Sequence, residues 1–317
     1  MKLHQLRYLC EIAKRDLSFS NAAESLHTSQ PGISKQMRLL EQELGVDLFI
    51  RSGNRIIDLT EPGRRILDIA NAVLRQIENI KVAAREFAGG ESGRLQVAAT
   101  FTLARYVLPG ALRRFVARYP KVELILLHGS SDQLCKLVAS GEADVALVTR
   151  PAGDFPDLLL LEYGPLPRAL FVPDGHPLAS TKAINLKSIA AHPLVTLDAG
   201  SHGQARMREL FTAHGLHPDI VLSGANIDVV KAFVEAGLGI AILPRLAFEP
   251  GRDSGLRVLD VDHLFEPHRA SIAIRRNNYP RAFVYDLINM LAPKLDRRAI
   301  EHAAATKSRQ RRQHNAA

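Results

Sequence analysis

The stretch over residues 18–38 constrains the fold more than any other part of this chain, because it carries two helical patterns separated by a short break. Ala22 and Leu26 lie one helical turn apart and give the first pattern a narrow apolar side. Ser29 then occupies an N-cap position. Pro31 falls in the first turn of a second helix, where the missing N–H of proline costs no helical hydrogen bond. The stretch therefore predicts two helices joined by a tight turn, a helix-turn-helix.

The second helix has an apolar side, with Ile33 and Met37 at helical spacing, and a polar side. Amide side chains pair with adenine edges in the major groove, and lysine or arginine reaches guanine or phosphate. We therefore expect DNA contacts from the cap, the first turn and the polar side: Ser29, Gln30, Pro31, Ser34, Lys35 and Arg38. The alternative is a packed helix pair whose polar side only faces solvent.

A hairpin is predicted directly after this helix. Gly45 suits a helix C-cap, and residues 47–51 and 55–59 are typical of two strands around a turn at 52–54. A hairpin that follows a recognition helix is a wing. Arg51 and Arg55 flank its turn, so we expect both to meet phosphates or a minor groove.

The amino-terminal sequence resembles that of the LysR-type transcriptional regulators from His4 to Arg64. Within that family, the words HTSQPGISKQ, RSGNRI, LTEPGR and, further on, ARYVLP resemble the CysB-like branch, which regulates sulfur assimilation. The resemblance implies a winged helix-turn-helix DNA-binding domain over residues 1–60 and binding to double-stranded DNA as a homodimer, with further assembly into a homotetramer.

A long amphipathic helix is predicted after Thr60, a good N-cap, and forms a linker over residues 61–91. Its apolar stripe needs a partner. The same helix of a second copy would serve, and the resemblance implies that this linker helix dimerises. The alternative is packing onto its own domain. A joint rich in glycine follows at residues 88–93.

The pattern then changes to strands alternating with helices, which predicts an α/β effector domain with parallel sheets over residues 92–293. We expect a single helix at 103–119. Crossings near Tyr163 and Pro267 divide the region into one lobe of about 92–163 plus 268–293 and another of about 164–267. Two lobes joined by two crossings have the architecture of periplasmic binding proteins, which the effector domain of the resembled family shares. Ligands bind in the cleft of such folds.

Three strand-to-helix turns supply candidate effector contacts, because hydroxyls, free backbone N–H groups and glycines favour anions there. The resemblance implies that threonines at positions 100, 102 and 149 line an anion site that accepts sulfate. Leucine stands at 103 where the CysB-like pattern has glutamine, and Ser-His-Gly stands at 201–203 where it has Phe-Thr-Gly. The expected effector-binding residues are Thr100, Phe101, Thr102, Leu103, Thr149, Ser201, His202 and Gly203. The effector is expected to be sulfate, another sulfur compound or a carboxylate.

Composition and motifs favour a regulator over an enzyme. The net charge of +8 agrees with a polyanionic partner. The sequence has no nucleophile elbow, phosphate-binding loop or zinc-ligand spacing, so we expect no catalytic residue, metal or cofactor. No apolar run approaches the ~20 residues of a membrane span, and the first residues do not resemble a signal peptide, so we expect a cytoplasmic protein without a membrane partner. A basic tail is expected at 294–317, frayed or disordered past Ala303.

These features predict a ligand-responsive DNA-binding regulator, and the resemblance implies that it controls sulfur assimilation or organosulfur use through a small anionic effector bound between the two lobes. Two alternatives stay open. The chain could be a LysR-type regulator of another pathway with a carboxylate or aromatic effector, or a ligand-binding module without specific DNA recognition.

Overall fold

The computed structural model describes residues 1–53, 55–87, 92–149, 151–181, 183–197, 202–266, 268–276 and 280–304. Contacts divide the chain into two compact units, residues 1–89 with 278–281 and residues 90–277 with 282–317. The elements of the first unit are α1 (Leu3–Lys14), α2 (Phe19–Ser25), α3 (Gln30–Leu44), the hairpin β1 (Phe49–Ser52) and β2 (Arg55–Leu59), and α4 (Glu61–Phe87). The predicted helix-turn-helix, hairpin and long helix are all present.

Capping residues set the bounds of these helices as the sequence predicts. The Ser29 hydroxyl accepts a hydrogen bond from the Gly32 N–H at 3.3 Å, at the start of α3. That helix ends at Gly45, whose φ of 68° is left-handed. Thr60 accepts from the Gly63 N–H at 2.9 Å and begins α4. Local chemistry thus fixes both ends of α3 and the start of α4.

The core of the first unit is built from the apolar sides of these helices. Ile33 and Met37 have no exposed surface, and Ala22 on α2 is equally buried. Gly63 lies so close to the hairpin that an added Cβ would be 2.1 Å from the Leu48 carbonyl oxygen. Only glycine permits this approach of α4 to the chain before β1.

The second unit contains two lobes. The elements of lobe 1 are β3 (Gly93–Ala99), α5 (Phe101–Tyr106), α6 (Leu108–Arg118), β4 (Val122–His128), α7 (Ser131–Ser140), β5 (Val145–Thr149) and β6 (Leu158–Leu166). Those of lobe 2 are β7 (Arg168–Pro173), α8 (Leu186–Ala190), β8 (Leu194–Leu197), α9 (His202–Ala213), β9 (Ile220–Gly224), α10 (Ile227–Glu235), β10 (Ala241–Pro244) and β11 (Leu256–Asp260). The chain then returns to lobe 1 with β12 (His268–Arg275) and α11 (Ala282–Leu291).

The sheet of lobe 1 is mixed, with strand order β4-β3-β5-β12-β6. The neighbours β4, β3 and β5 are parallel, as the alternation of strands and helices predicts. Strand β12 runs antiparallel to both β5 and β6, so the expectation of a purely parallel sheet was wrong. The reason is that β6 and β12 carry the chain out of lobe 1 and back into it.

Lobe 2 combines an antiparallel sheet, β10-β7-β11, with a parallel pair, β8-β9. A single parallel bridge between Leu194 and Ile240 joins the two. The sequence pattern does not predict β11 or most of β6. Gly164 and Pro165 interrupt the β6 pattern, and β11 alternates only partly between buried and exposed residues.

The single helix expected over 103–119 was also wrong, because the structure has two helices there. α5 ends at Tyr106 and α6 begins at Leu108, with Pro109 in its first turn. Proline has no N–H to continue the hydrogen bonding of α5, so the helix breaks before it. This break makes α5 a separate short element directly after Thr100.

The expected tail and joint are only partly within the described residues. Residues 297–304 are helical, and Ile300 is 2% exposed in the core of lobe 1, so the first part of the tail is ordered. An apolar side chain at 300 packs where basic composition predicted a solvated chain. The rest of the tail lies outside the described residues, as do positions 88–91 of the joint. No described helix is long and apolar enough to span a membrane.

Candidate DNA interface and ligand cleft

The polar side of α3 is exposed opposite its buried apolar side. Gln30, Lys35 and Arg38 face solvent, and Ser34 is partly exposed. Ser29 and Pro31 are exposed at the amino-terminal end of the helix. The expected recognition residues therefore form one continuous surface, and their contact with DNA stays a prediction.

The wing is tied to α3 by an ion pair that the sequence reasoning missed. Glu41 is only 7% exposed, and its carboxylate accepts from the Leu48 N–H at 2.9 Å and from the Arg51 guanidinium at 2.7 Å. Arg51 is therefore held against α3. A phosphate contact, which the sequence predicts for this residue, would instead need its side chain to project freely. Nothing is described of the side chain of Arg55, the other expected wing contact. The signal for Glu41 was a carboxylate on the apolar side of α3.

The turn between α2 and α3 uses an unusual backbone conformation. His27 has a φ of 48°, in the left-handed region, and its N–H donates to the Glu24 carbonyl at 3.1 Å. The next N–H, of Thr28, donates to the Ala23 carbonyl at 2.9 Å. Left-handed backbone is unfavourable for residues with a side chain, so this turn is conformationally strained.

Helix α4 has two apolar sides. Ala70 is buried in the core of the first unit, with Leu67 and Leu74 packed beside it. Ile69 is 58% exposed and Ile80 68% exposed. One side thus packs onto its own unit, as the alternative interpretation held, while the other leaves large apolar side chains uncovered in the single chain.

The first of the three candidate effector turns, at Thr100, lies at the edge of lobe 1 where β3 and β5 end. The Thr100 N–H donates to the Leu147 carbonyl at 3.1 Å, which joins the turn to β5. The Thr100 hydroxyl is buried and has no hydrogen-bond partner among the described residues. A buried hydroxyl without a partner is unfavourable, so a role for this atom in ligand binding stays a prediction. Phe101 is 43% exposed beside it, and Thr102 is partly exposed.

Thr149 lies on the same edge and is held in place by Ser131, a residue the sequence reasoning missed. The Ser131 hydroxyl donates to the Thr149 carbonyl at 2.8 Å and accepts from the Thr149 N–H at 3.2 Å. Ser131 is the first residue of α7, whose N-cap is Ser130. The signal was the Gly-Ser-Ser sequence after β4, which resembles the other turns.

Four expected contacts are placed differently or are only partly described. Leu103 has no exposed surface and packs in the core of lobe 1, so its side chain does not line the accessible surface of the turn. It points inward because it lies on the buried side of α5. His202 and Gly203 form the first turn of α9. Ser201 lies outside the described residues, and whether this turn contacts a ligand stays a prediction.

The carboxyl-terminal end of α5 is bonded to lobe 2. The Tyr106 hydroxyl donates to Asp228 at 2.5 Å, and the Arg105 guanidinium donates to Glu249 at 2.6 Å. Burial, followed by the hydrogen bond to Asp228, raises the pKa of Tyr106 well above its ordinary value. One short helix therefore joins the Thr100 turn to the opposite lobe.

A buried ion pair lies behind this contact. The Lys231 ammonium is 2.9 Å from the Asp253 carboxylate and donates to the Ala247 carbonyl at 2.9 Å. Both charged side chains are almost completely buried. Lys231 lies 5.5 Å from the Tyr106 ring, so the pair supports the ring that crosses between the lobes.

The chain matches two family models and is similar to known regulators along most of its length. Residues 3–64 match the model of the bacterial regulatory helix-turn-helix proteins of the lysR family, and residues 88–296 match that of the LysR substrate binding domain. The chain is 41% identical over 303 residues to the HTH-type transcriptional regulator CysB of Burkholderia cenocepacia, covering 96% of this chain and 97% of the relative. It is 40% identical over 296 residues to the regulator SsuR of the same organism, covering 93% and 96%.

A solved structure supports the fold of the second unit. The cofactor-binding domain of the Cbl transcriptional regulator matches with a TM-score of 0.62 at 32% identity and covers 67% of this chain and 93% of that domain. Both family models match this chain, one over the helix-turn-helix and the other over the two-lobed domain. The chain belongs to the LysR family and is a DNA-binding transcriptional regulator.

Proposed function

We propose that the chain regulates sulfur assimilation or organosulfur use in response to a small sulfur-containing anion bound between the two lobes. The observation that carries the effector part is the buried Thr100 hydroxyl, which lacks a partner at the edge shared with Thr149. The CysB, SsuR and Cbl relatives support the pathway, as does the resemblance to the CysB-like branch. The protein acts in the cytoplasm, where its operator DNA lies.

On the DNA side, α3 lies in the major groove. Gln30 and Ser34 read base edges there, and Lys35 and Arg38 contact phosphate or guanine. Before DNA is bound, the pair of Arg51 with Glu41 sets the angle of the wing relative to α3. To contact the DNA backbone, Arg51 has to leave Glu41 or share its guanidinium between Glu41 and a phosphate. The exposure of this whole row supports the assignment.

The protein binds DNA as a dimer formed along α4. The uncovered side chains of Ile69 and Ile80 support this assembly, because exposed apolar residues on one helix side mark an interaction surface. A C2 dimer places two recognition helices on the two halves of an operator. Contacts between effector domains assemble dimers into a tetramer, as the resemblance implies.

Ligand binding is coupled to DNA through the two lobes of the effector domain. A ligand held at Thr100 contacts the start of α5, while Arg105 and Tyr106 at its end are bonded to lobe 2. A ligand that prefers one lobe arrangement shifts the population toward it. The change in packing between effector domains then alters the spacing of the DNA-binding pairs and the bend of the operator.

A second candidate is a regulator of the same family with a carboxylate or aromatic effector. The exposed Phe101 ring beside the Thr100 hydroxyl favours it, since a ring at the cleft suits an aromatic ligand. This turn also lacks the glutamine of the CysB-like pattern, because position 103 is a leucine whose side chain is buried.

A binding measurement on the full-length protein tests the proposal. Sulfate, thiosulfate, ethanesulfonate and benzoate are titrated with the ionic strength held constant by sodium chloride. Binding of a sulfur anion that Thr100→Val abolishes supports the sulfur effector. Binding of benzoate alone would favour the second candidate. A parallel salt titration on DNA tests the regulator itself, because specific binding outlasts the non-specific component as salt rises.

A further inference from the structure

A partly buried arginine lies where the chain crosses from lobe 1 to lobe 2. Arg168 is the first residue of β7 and pairs with Pro244 on β10. The preceding residue, Pro167, accepts a backbone hydrogen bond from the Arg245 N–H at 2.8 Å. Its backbone is thus fixed on both sides, so the guanidinium projects from a rigid position.

The contact that Arg168 makes brings no negative charge. Its Nη2 atom lies 2.5 Å from Nε2 of His268, the first residue of β12. A guanidinium is protonated at all relevant pH values and can only donate, so the imidazole nitrogen is the acceptor and carries no proton. His268 therefore orients the guanidinium without neutralising it.

The positive charge of Arg168 is not balanced by a carboxylate of the described residues. The neighbouring Arg206 is bonded to Glu266 at 2.8 Å, whereas no described carboxylate is ion-paired with Arg168. Burial, and then the charge of Arg206, lower the pKa of Arg168 to about 10. A partly buried cation without a counter-charge is costly, and a bound anion would offset that cost.

Arg168 lies near the edge of the lobe 1 sheet that carries Thr100 and Thr149. In the register of the sheet, Ala270 of β12 is opposite Thr149 of β5, and His268 precedes Ala270 by two positions. The contact between His268 and Arg168 therefore lies at the edge where β3 and β5 also end. The turns that carry the Thr100 and Thr149 hydroxyls, called the hydroxyl turns below, and Arg168 thus lie at the same edge of the sheet.

We propose that Arg168, oriented by His268 and flanked by Arg206, binds the oxyanion group of a sulfate or sulfonate effector. Guanidinium groups bind such oxyanions through paired, charge-assisted hydrogen bonds. The inference rests on the proposed function in placing this group in the effector cleft, and it assigns the charge recognition to a residue outside the hydroxyl turns.

Calorimetric titration of the full-length protein tests the assignment, with sodium sulfate and sodium ethanesulfonate at constant ionic strength. Arg168→Gln is expected to weaken binding by about tenfold or more, the loss of one charge-assisted hydrogen bond. Arg245→Gln is the matched control, because this arginine of lobe 2 is already paired with Asp260 at 3.3 Å. The control is expected to bind as the unaltered protein does.

The melting temperature of the ligand-free protein gives a second readout. Arg168→Gln is expected to melt no lower than the unaltered protein, because it removes an unpaired charge. A lower melting temperature with undiminished sulfate affinity would show a structural role and overturn the proposal. If Arg168→Gln does not fold, Arg206→Gln decides: weaker binding supports the anion position, and unchanged binding overturns it.

Thr100→Val separates this inference from the proposed function. If Thr100→Val abolishes binding while Arg168→Gln preserves it, the hydroxyl site stands and the arginine site is wrong. If Arg168→Gln alone abolishes binding, the arginine site stands and the threonine assignment fails. If the unaltered protein binds neither sulfate nor ethanesulfonate, the arginine site is wrong, whereas selective binding to DNA still tests the regulator.

Discussion

The Arg51 guanidinium on the wing lies 2.7 Å from the carboxylate of Glu41, a buried residue near the end of the recognition helix. The same carboxylate accepts the Leu48 N–H at the entry to the hairpin. One side chain therefore fixes both the start and the outer edge of the wing relative to α3. The two candidate DNA-contacting elements are held as one rigid unit by this residue.

Replacing Glu41 with glutamine should destabilise the amino-terminal unit by about 1–2 kcal/mol, because a charge-assisted bond is lost from a partly exposed pair. The affinity for operator DNA should also change, because the substitution frees Arg51 from its ion pair with residue 41. Urea unfolding followed by circular dichroism measures the stability, because the chain has no tryptophan. Glu43→Gln, an exposed carboxylate on the same helix, is the control. Equal stability of the two variants would contradict the assignment.

The stability of the turn should depend on whether residue 27 has a β-branched side chain, and not on the imidazole of His27. Its φ of 48° favours glycine, so His27→Gly should leave stability nearly unchanged, whereas His27→Ile should lose about 1–2 kcal/mol. The same unfolding measurement applies. Thr28→Ile introduces the same side chain at the next exposed position, whose φ is not left-handed, and should cost less. A larger loss for His27→Gly than for His27→Ile would refute the strain argument.

The exposed apolar side of α4 should hold the dimer together. A glutamate in place of Ile80 or Ile69 would bury an unpaired charge in that interface, so the variants should sediment as monomers at concentrations where the unaltered protein is dimeric. Sedimentation velocity measures this. Lys81→Gln changes an adjacent exposed position and should leave the assembly intact. Dimers of undiminished stability in Ile69→Glu and Ile80→Glu would place the interface elsewhere.

The hydroxyl of Tyr106 should stabilise the contact between the lobes. Tyr106→Phe should lower the free energy of unfolding of the effector domain by about 1 kcal/mol at neutral pH, since it removes the bond to Asp228. Tyr163→Phe is the control, because the raised pKa of Tyr163 comes from burial alone. Equal effects of the two substitutions would show that the hydrogen bond contributes nothing.

The same tyrosine gives a pH dependence. Its folded pKa is raised above the ordinary value of 10.0, so its contribution to stability is complete below that pH and is lost as the pH rises further. The unaltered protein should therefore lose stability above pH 10.0, and Tyr106→Phe should lose less. The difference between the two proteins should narrow as the pH rises. A difference that widens with alkaline pH would contradict the raised pKa.

Local signals explain why so much of the first unit could be predicted from the sequence. Ser29, Gly45 and Thr60 each act within one helical turn of the backbone that they cap, so their effect is legible in the chain itself. The exposed row on α3 follows from the helical period. The resemblance to the LysR family extended this to the two-lobed domain.

Long-range contacts explain what the sequence did not reveal. The ion pair of Glu41 with Arg51 and the contact of Arg168 with His268 join positions whose proximity only the fold establishes. Strand β12 pairs antiparallel with β5 although more than a hundred residues separate them, and no local pattern encodes that direction. The burial of Leu103 was not foreseen for a related reason, because a six-residue helix is too short to show a period.

Sequence-specific reading of DNA by α3 can be measured by selecting bound fragments from random double-stranded DNA, with the unaltered full-length protein and Gln30→Ala compared in parallel. We expect the unaltered protein to enrich a sequence with two related halves, and Gln30→Ala to lose preference at one base pair in each half while keeping its preference at the others. The same enriched sequence from both proteins, with undiminished preference at every position, would contradict the claim that this side of α3 reads DNA.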